Sequence, residues 1–245
     1  MPHSSTGLTQ AQTLYIFPHA GGDVSFYVPF ARAFAKGAAE LKRIAVQYPG
    51  QAGGGDVSPI TSIPALADDI YSLLKQGVEP DRGVALFGHS MGAGVAFELA
   101  QRFEADGTPV TALFVSASSA PGRTNLELFG QTDQDLVATL AKLTGASPEF
   151  LDEGFLATIM PTLRGYRAIL DYDSPAEAKV SCPIYAYAGS ADPFVEYDTV
   201  LAWADRTTGE FAARVFPGDH FYLAANTREV AEDIETRICR SADQN

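Results

Sequence analysis

Residues 84–94, VALFGHSMGAG, decide the fold. Val84-Ala85-Leu86-Phe87 is an apolar run too short for a helix and reads as a buried strand. It enters Gly88-His89-Ser90-Met91-Gly92, which fits G-x-S-x-G, and a helical stretch follows at once through Glu98, Leu99 and Phe103. Strand, sharp turn and helix around this pattern make a nucleophile elbow. The requirement is steric. Ser90 at the tip takes a strained backbone conformation that aims its hydroxyl outward. The residues two positions away on either side then crowd against each other, so both are small. The helix N-terminus beneath the serine adds partial positive charge where an oxyanion would form. The competing interpretation is a glycine-rich turn with a structural serine, and partners elsewhere in the chain decide between the two.

Upstream, Thr13–Phe17 is the first expected strand, and it runs into Pro18-His19-Ala20-Gly21-Gly22. Glycines in this loop let backbone amides approach a ligand closely. The loop reads either as a second oxyanion donor or as an ordinary strand-to-helix turn. Residues 26–35 read as a helix with Phe26, Phe30 and Phe34 in the core, and 43–46 as the next strand. Residues 51–58 form a flexible Gly-rich loop; no Lys-Ser/Thr follows it, which excludes a P-loop. Ile63–Leu74 reads as an amphipathic helix with Ile63, Leu66, Ile70, Leu73 and Leu74 on its apolar face.

Downstream, the helix from Met91 is rich in small residues (Gly92, Ala93, Gly94, Ala96, Ala100), which allow close packing on a sheet. Gly107 is its expected C-terminal cap, ahead of Pro109. Residues 112–116 are another buried strand. Such alternation implies a parallel sheet with right-handed crossovers. Residues 120–180 interrupt it. They read as helices: 135–143, a segment opened by Ser147-Pro148-Glu149, and 160–172. With Phe129, Phe150, Phe155, Tyr166 and Tyr172, this insertion is expected to be a lid over the elbow that lines an apolar acyl channel. The alternative is an accessory helical layer. Strands at 183–188 and 212–216 resume the alternation. A C-terminal helix closes the chain, with Asn226 and Glu229 as a capping box and Val230, Ile234 and Ile238 as its apolar stripe.

The bulk numbers fit a single α/β domain over residues 1–245, with residues 1–12 a flexible tail: there are 245 residues, 46% of them apolar. A net charge of −13 argues against nucleic acid and anionic membranes as partners. Cys182 and Cys239 have neither metal spacing nor a disulfide framework, which suits a reducing cytoplasm. The N-terminal stretch lacks the basic and apolar regions of a signal peptide, and no run of about 18 apolar residues is present to span a membrane. The chain is expected to be cytoplasmic and, by default, monomeric.

A serine hydroxyl at neutral pH needs a base, most often histidine. The chain has four. His3 lies in the tail, His89 is within the elbow and points away from Ser90, and His19 is in the early loop. His220 follows the last strand and alone satisfies the order Ser, Asp or Glu, His. The acid must lie between Ser90 and His220 at a strand end. Asp192, four residues after the strand at 183–188, meets this; Asp171, Asp173 and Asp198 lie in helical segments, and Asp219 adjoins the base. Asp192 would fix the His220 tautomer and stabilise the imidazolium.

FPHAGG at 17–22, YPG at 48–50, FGHSMGA at 87–93, GSADPFV at 189–195 and GDHFYL at 218–223 together resemble the type II thioesterases. These are discrete α/β-hydrolases that accompany polyketide synthases and non-ribosomal peptide synthetases. The resemblance is ordered and covers almost the whole chain. It implies an α/β-hydrolase fold, a Ser90–Asp192–His220 triad, and backbone amides of Ala20 and Met91 as the oxyanion hole. It implies hydrolysis of misprimed or stalled acyl groups from the phosphopantetheine arm of acyl or peptidyl carrier proteins. No metal and no organic cofactor is called for, because the pantetheine arm belongs to the substrate. Two departures bear on the mouth of the site: Gln51 stands where many members carry Arg, and Gly218-Asp219 replaces Gly-Gly. The rival readings are a small-molecule carboxylesterase and a non-catalytic binding protein of the same fold.

Overall fold

In the computed structural model the described residues are 12–22, 24–34, 41–48, 62–78, 83–125, 132–144 and 172–242. Among them, six strands form one parallel sheet: β1 (Thr13–Phe17), β2 (Lys42–Ala45), β3 (Val84–His89), β4 (Val110–Ser116), β5 (Ile184–Gly189) and β6 (Phe211–Phe216). Their order across the sheet is β2-β1-β3-β4-β5-β6. The chain steps from β1 outward to β2, then returns past β1 to β3 and proceeds the other way. That reversal creates a crevice at the carboxyl ends of β1 and β3, the place where open α/β sheets bind ligands. In register, Phe17 of β1 lies beside Gly88 of β3, and His89 of β3 beside Ser116 of β4.

Parallel strands covered on both faces read as near-continuous apolar runs, and β3 is buried at all six positions. Alternate residues feed two cores. Tyr15, Phe17, Leu86 and Leu113 face a layer built with α2 (Ile63–Leu74) and α3 (Met91–Ala105). Leu14, Ile16, Phe87 and Phe114 face a layer built with α1 (Val24–Ala33) and the C-terminal helix.

Helix α2 has the expected bounds, with Ser62 Oγ accepting the Ala65 N–H at 3.2 Å as its N-cap and Pro64 in the first turn. One residue of its expected apolar face departs: Leu73 is 67% exposed, and Ala67 fills the buried stripe with Ile63, Leu66 and Ile70. The strand expected at 43–46 is shifted to Lys42–Ala45, although the Val46 N–H still donates to the Ile16 carbonyl at 2.8 Å. Phe30 and Phe34 are core residues, whereas Phe26 is only half-buried and reaches toward His19 and Phe221. Gly107 closes α3 with φ +77°, as its cap role requires.

Within the 120–180 interruption, α4 (Asp133–Thr144) matches the expected first helix. The helix expected from Ser147 and all but the last residue of the one expected over 160–172, with Phe129, Phe150, Phe155 and Tyr166, lie outside the described residues, as do residues 1–11 and the loop 51–58; Tyr172 is not helical. Tyr172, where the insertion returns, explains one small residue of α3: a Cβ on Gly94 would stand 3.1 Å from its ring. Its hydroxyl donates to Glu98 at 2.6 Å. After β5 comes the short helix α5 (Tyr197–Leu201), and after β6 the C-terminal helix α6 (Thr227–Ala242). Val230, Ile234 and Ile238 are its buried stripe. The expected capping box is not formed: Glu229 pairs with Arg214, and the Asn226 amide donates backward to the carbonyls of Pro217 (2.9 Å) and Tyr222 (2.6 Å). Among the described residues no helix is long and apolar enough to cross a membrane.

Candidate active site

Ser90 stands between β3 and α3 with φ 55° and ψ −121°, strained for a residue with a Cβ. Both flanking glycines are required, for different reasons. A Cβ on Gly88 would lie 2.1 Å from the Gly92 carbonyl oxygen, so this position is closed by the elbow itself. A Cβ on Gly92 would lie 2.1 Å from the carbonyl oxygen of Phe17, so this one is closed by the end of β1. The Ser90 N–H donates to the Ser116 carbonyl at 2.7 Å, which ties the strained turn to β4.

The three residues selected from the sequence converge. His220 Nε2 is 3.0 Å from Ser90 Oγ, and His220 Nδ1 is 2.8 Å from Asp192 Oδ2. The Asp192 side chain is 1% exposed and that of His220 9%. Asp192 Oδ1 is occupied by the Phe194 N–H at 2.9 Å, leaving Oδ2 for the histidine. An ionised carboxylate only accepts, so Nδ1 carries the proton and Nε2 presents its lone pair to the serine. The two supporting loops lock together. The Ser190 N–H donates to Phe216 and the Ala191 N–H to Gly218, both at 2.8 Å, while a Cβ on Gly189 would lie 2.2 Å from the Asp219 carbonyl oxygen.

Ala20 lies in the turn after β1, the strand whose end lies against Gly92 of the elbow. The Gly22 N–H donates to the His19 carbonyl at 2.9 Å, and Gly21 has φ +73° while Ala20 does not enter positive φ, the pattern of a type II turn. In such a turn the second residue's amide is left unused by the turn itself. Met91, the first residue of α3, offers its amide at a helix N-terminus, where the first N–H groups lack intrahelical partners.

Sequence reasoning missed a second layer of polar contacts. His89 is fully buried, with Nδ1 2.8 Å from Ser116 Oγ, which lies 2.6 Å from the Tyr222 hydroxyl. This chain links the residue before Ser90 to the turn that follows His220. Its ring is tilted by 55° against that of His220, centroids 5.5 Å apart. Burial first, then the neighbouring His220 and His19, holds its pKa well below the usual histidine range. His19, with centroids 6.0 Å from His89, is lowered to about 4 by burial and by His220. Both are therefore neutral at physiological pH. Tyr48 and Tyr222 belong to stretches already singled out (YPG and GDHFYL), so their position was available from sequence while their contacts were not.

Chain order settles the class. Serine precedes aspartate and aspartate precedes histidine; on a parallel sheet this is the order of the α/β-hydrolases. Within that class the thioesterase domain family matches residues 12–238, and the chain belongs to that family. It is 50% identical over 236 residues to Thioesterase TesA of Mycobacterium marinum, covering 96% of this chain and 94% of that protein. Among solved structures it is similar to the type II thioesterase BorB from the borrelidin biosynthetic cluster, with 38% identity, a TM-score of 0.78 and coverage of 94% and 93% of the two chains. It is also similar to YbtT, a type II thioesterase from the yersiniabactin NRPS/PKS pathway, with 28% identity, a TM-score of 0.80 and coverage of 96% and 95%.

Proposed function

We propose that this thioesterase removes acyl groups from the phosphopantetheine arm of carrier proteins, editing stalled or misprimed polyketide and non-ribosomal peptide synthases, with Ser90 as nucleophile, His220 as base and Asp192 as its orienting acid. The observation that carries the reading is the continuous relay Ser90 Oγ–His220–Asp192 at 3.0 and 2.8 Å, in a chain of the thioesterase family. His220 Nε2 takes the Ser90 proton as Oγ attacks the thioester carbonyl. The amides of Ala20 and Met91 hold the resulting oxyanion; a single such donor is worth about 3 kcal/mol of transition-state stabilisation. The carbonyl re-forms, the C–S bond breaks, and His220 returns the proton to the departing thiolate. Water, deprotonated by the same nitrogen, then attacks acyl-Ser90, and the serine leaves with its proton restored. Asp192 keeps the imidazole in the reactive tautomer throughout and stabilises its cationic form.

Synthase-borne carrier domains are the partners this reading requires. Carrier domains are generally acidic and so is this chain, so docking relies on local basic or apolar contact rather than long-range attraction. The test is deacylation of acyl-phosphopantetheinyl carrier proteins of short and long chain, followed by intact mass, beside Ser90→Ala and an aryl ester. Wild-type turnover of carriers, lost in the variant, supports the assignment. Turnover of the aryl ester with carriers untouched moves the protein to the carboxylesterases.

A further inference from the structure

The turn that presents the Ala20 amide is held by groups that take no part in the relay. The Ala20 N–H belongs to the same peptide unit as the His19 carbonyl, and the two point in opposite directions across a rigid plane. Whatever fixes that carbonyl aims that N–H. The carbonyl accepts the Gly22 N–H at 2.9 Å. On the other side of His19, its own N–H donates to the Tyr27 hydroxyl at 3.0 Å. The same hydroxyl is 2.7 Å from His19 Nδ1. One hydroxyl hydrogen and two contacts resolve in one economical way: Tyr27 accepts from the main chain and donates to the ring, which leaves the His19 proton on Nε2. Tyr27 is fully buried in α1, so its hydroxyl is a fixed point. The His19 ring packs flat on Gly22, where a Cβ would lie 2.7 Å from Cε1, 2.8 Å from Nδ1 and 2.9 Å from Nε2. One residue earlier, the Pro18 carbonyl accepts the Tyr48 hydroxyl at 2.7 Å.

We propose that Tyr27 is a positioning residue of the oxyanion hole: by bonding both the amide and the imidazole of His19, it clamps the His19–Ala20 peptide and aims the Ala20 N–H at the developing oxyanion. The inference rests on the assignment of Ala20 as an oxyanion donor. Gly22 is part of the same device, because only a residue without a side chain leaves room for the His19 ring. Transition-state stabilisation by a hydrogen bond depends on a donor already oriented before the charge appears. A peptide free to rock loses that benefit without losing ground-state affinity for substrate.

Two variants disturb the clamp by independent routes. Tyr27→Phe removes the hydroxyl; Gly22→Ala leaves every hydrogen-bonding group in place and displaces the ring. Each is compared with wild type in three measurements: thermal midpoint, kcat and KM for acyl-carrier hydrolysis per titrated active site, and the rate at which an alkyl fluorophosphonate labels Ser90. The phosphonate reports on the oxyanion hole whatever the natural substrate is, so a failure of the carrier reading is seen separately, as labelling without carrier turnover. The expected result is a fall of about 10- to 100-fold in both labelling rate and kcat in both folded variants, with KM within about twofold. A lowered thermal midpoint with wild-type labelling and kcat per active site overturns the proposal and leaves Tyr27 a core residue only. Wild-type protein that is not labelled at Ser90 overturns it as well.

Discussion

At the residue scale, the site depends on a few positions where one atom more or less is decisive. Asp192 has one oxygen on a main-chain amide and one on His220. Asp192→Asn keeps the shape but offers the histidine an amide, which favours the wrong tautomer. A fall in kcat of roughly 10⁴-fold is expected with little change in fold, checked by kinetics beside circular dichroism. Gly88→Ala places a methyl carbon 2.1 Å from the Gly92 carbonyl, where only backbone is available to move. About 3 kcal/mol of stability is expected to be lost, read by urea unfolding, together with the geometry of Ser90. Partly buried His19 and fully buried His89 set a pH dependence. His19, at about 4 when folded against an ordinary 6.5, is protonated more readily in the unfolded chain throughout that window. The unfolded state then binds more protons, so stability is full above pH 6.5 and declines as the pH falls toward 4. At pH 5 the loss from His19 amounts to about 2 kcal/mol relative to pH 7.5, and His89 adds to it in the same direction. Urea unfolding at the two pH values checks this, and His19→Phe is expected to flatten the slope.

At the element scale, the legible parts were those whose periodicity has a single physical cause. The bounds of α2 were readable because its apolar residues repeat at helical spacing; the structure adds Ser62 as the N-cap and Pro64 in the first turn. Leu73 was misassigned because counting apolar residues ignores angle: Ala67 lies on the buried face and Leu73 does not. Edge strand β2 was placed one residue late because its exposed first residue, Lys42, carries no burial signal. The capping box at Asn226 failed for a tertiary reason that no local pattern encodes. Arg214 of β6 claims the Glu229 carboxylate, and the Asn226 side-chain amide donates to carbonyls of the turn carrying His220. Asn226→Ala is therefore expected to cost about 1 to 2 kcal/mol and to lower kcat more than a comparable change on α6. Thermal melts and steady-state kinetics on the same preparation decide this.

At the scale of the whole molecule, the sheet is the instrument that converts distant positions into one site. Residues 90, 192 and 220 meet because β3, β5 and β6 are parallel and their carboxyl ends lie along one edge. That much followed from alternation and chain order: strands that all run one way present all their following loops on one side. The polar layer behind the triad did not follow. Ser116 is an ordinary residue in sequence and Tyr222 shows only as part of GDHFYL; their link to His89 exists because β3 and β4 pair with His89 opposite Ser116. The account's central claim is that acyl transfer passes through Ser90. The most direct measurement is rapid-quench intact-mass analysis of the protein mixed with an acyl carrier, followed by peptide mapping. A transient adduct of the acyl mass on the peptide containing Ser90, absent from Ser90→Ala, is the predicted result; carrier deacylation that persists in Ser90→Ala, or proceeds with no adduct at any time in a variant slowed at His220, would contradict it.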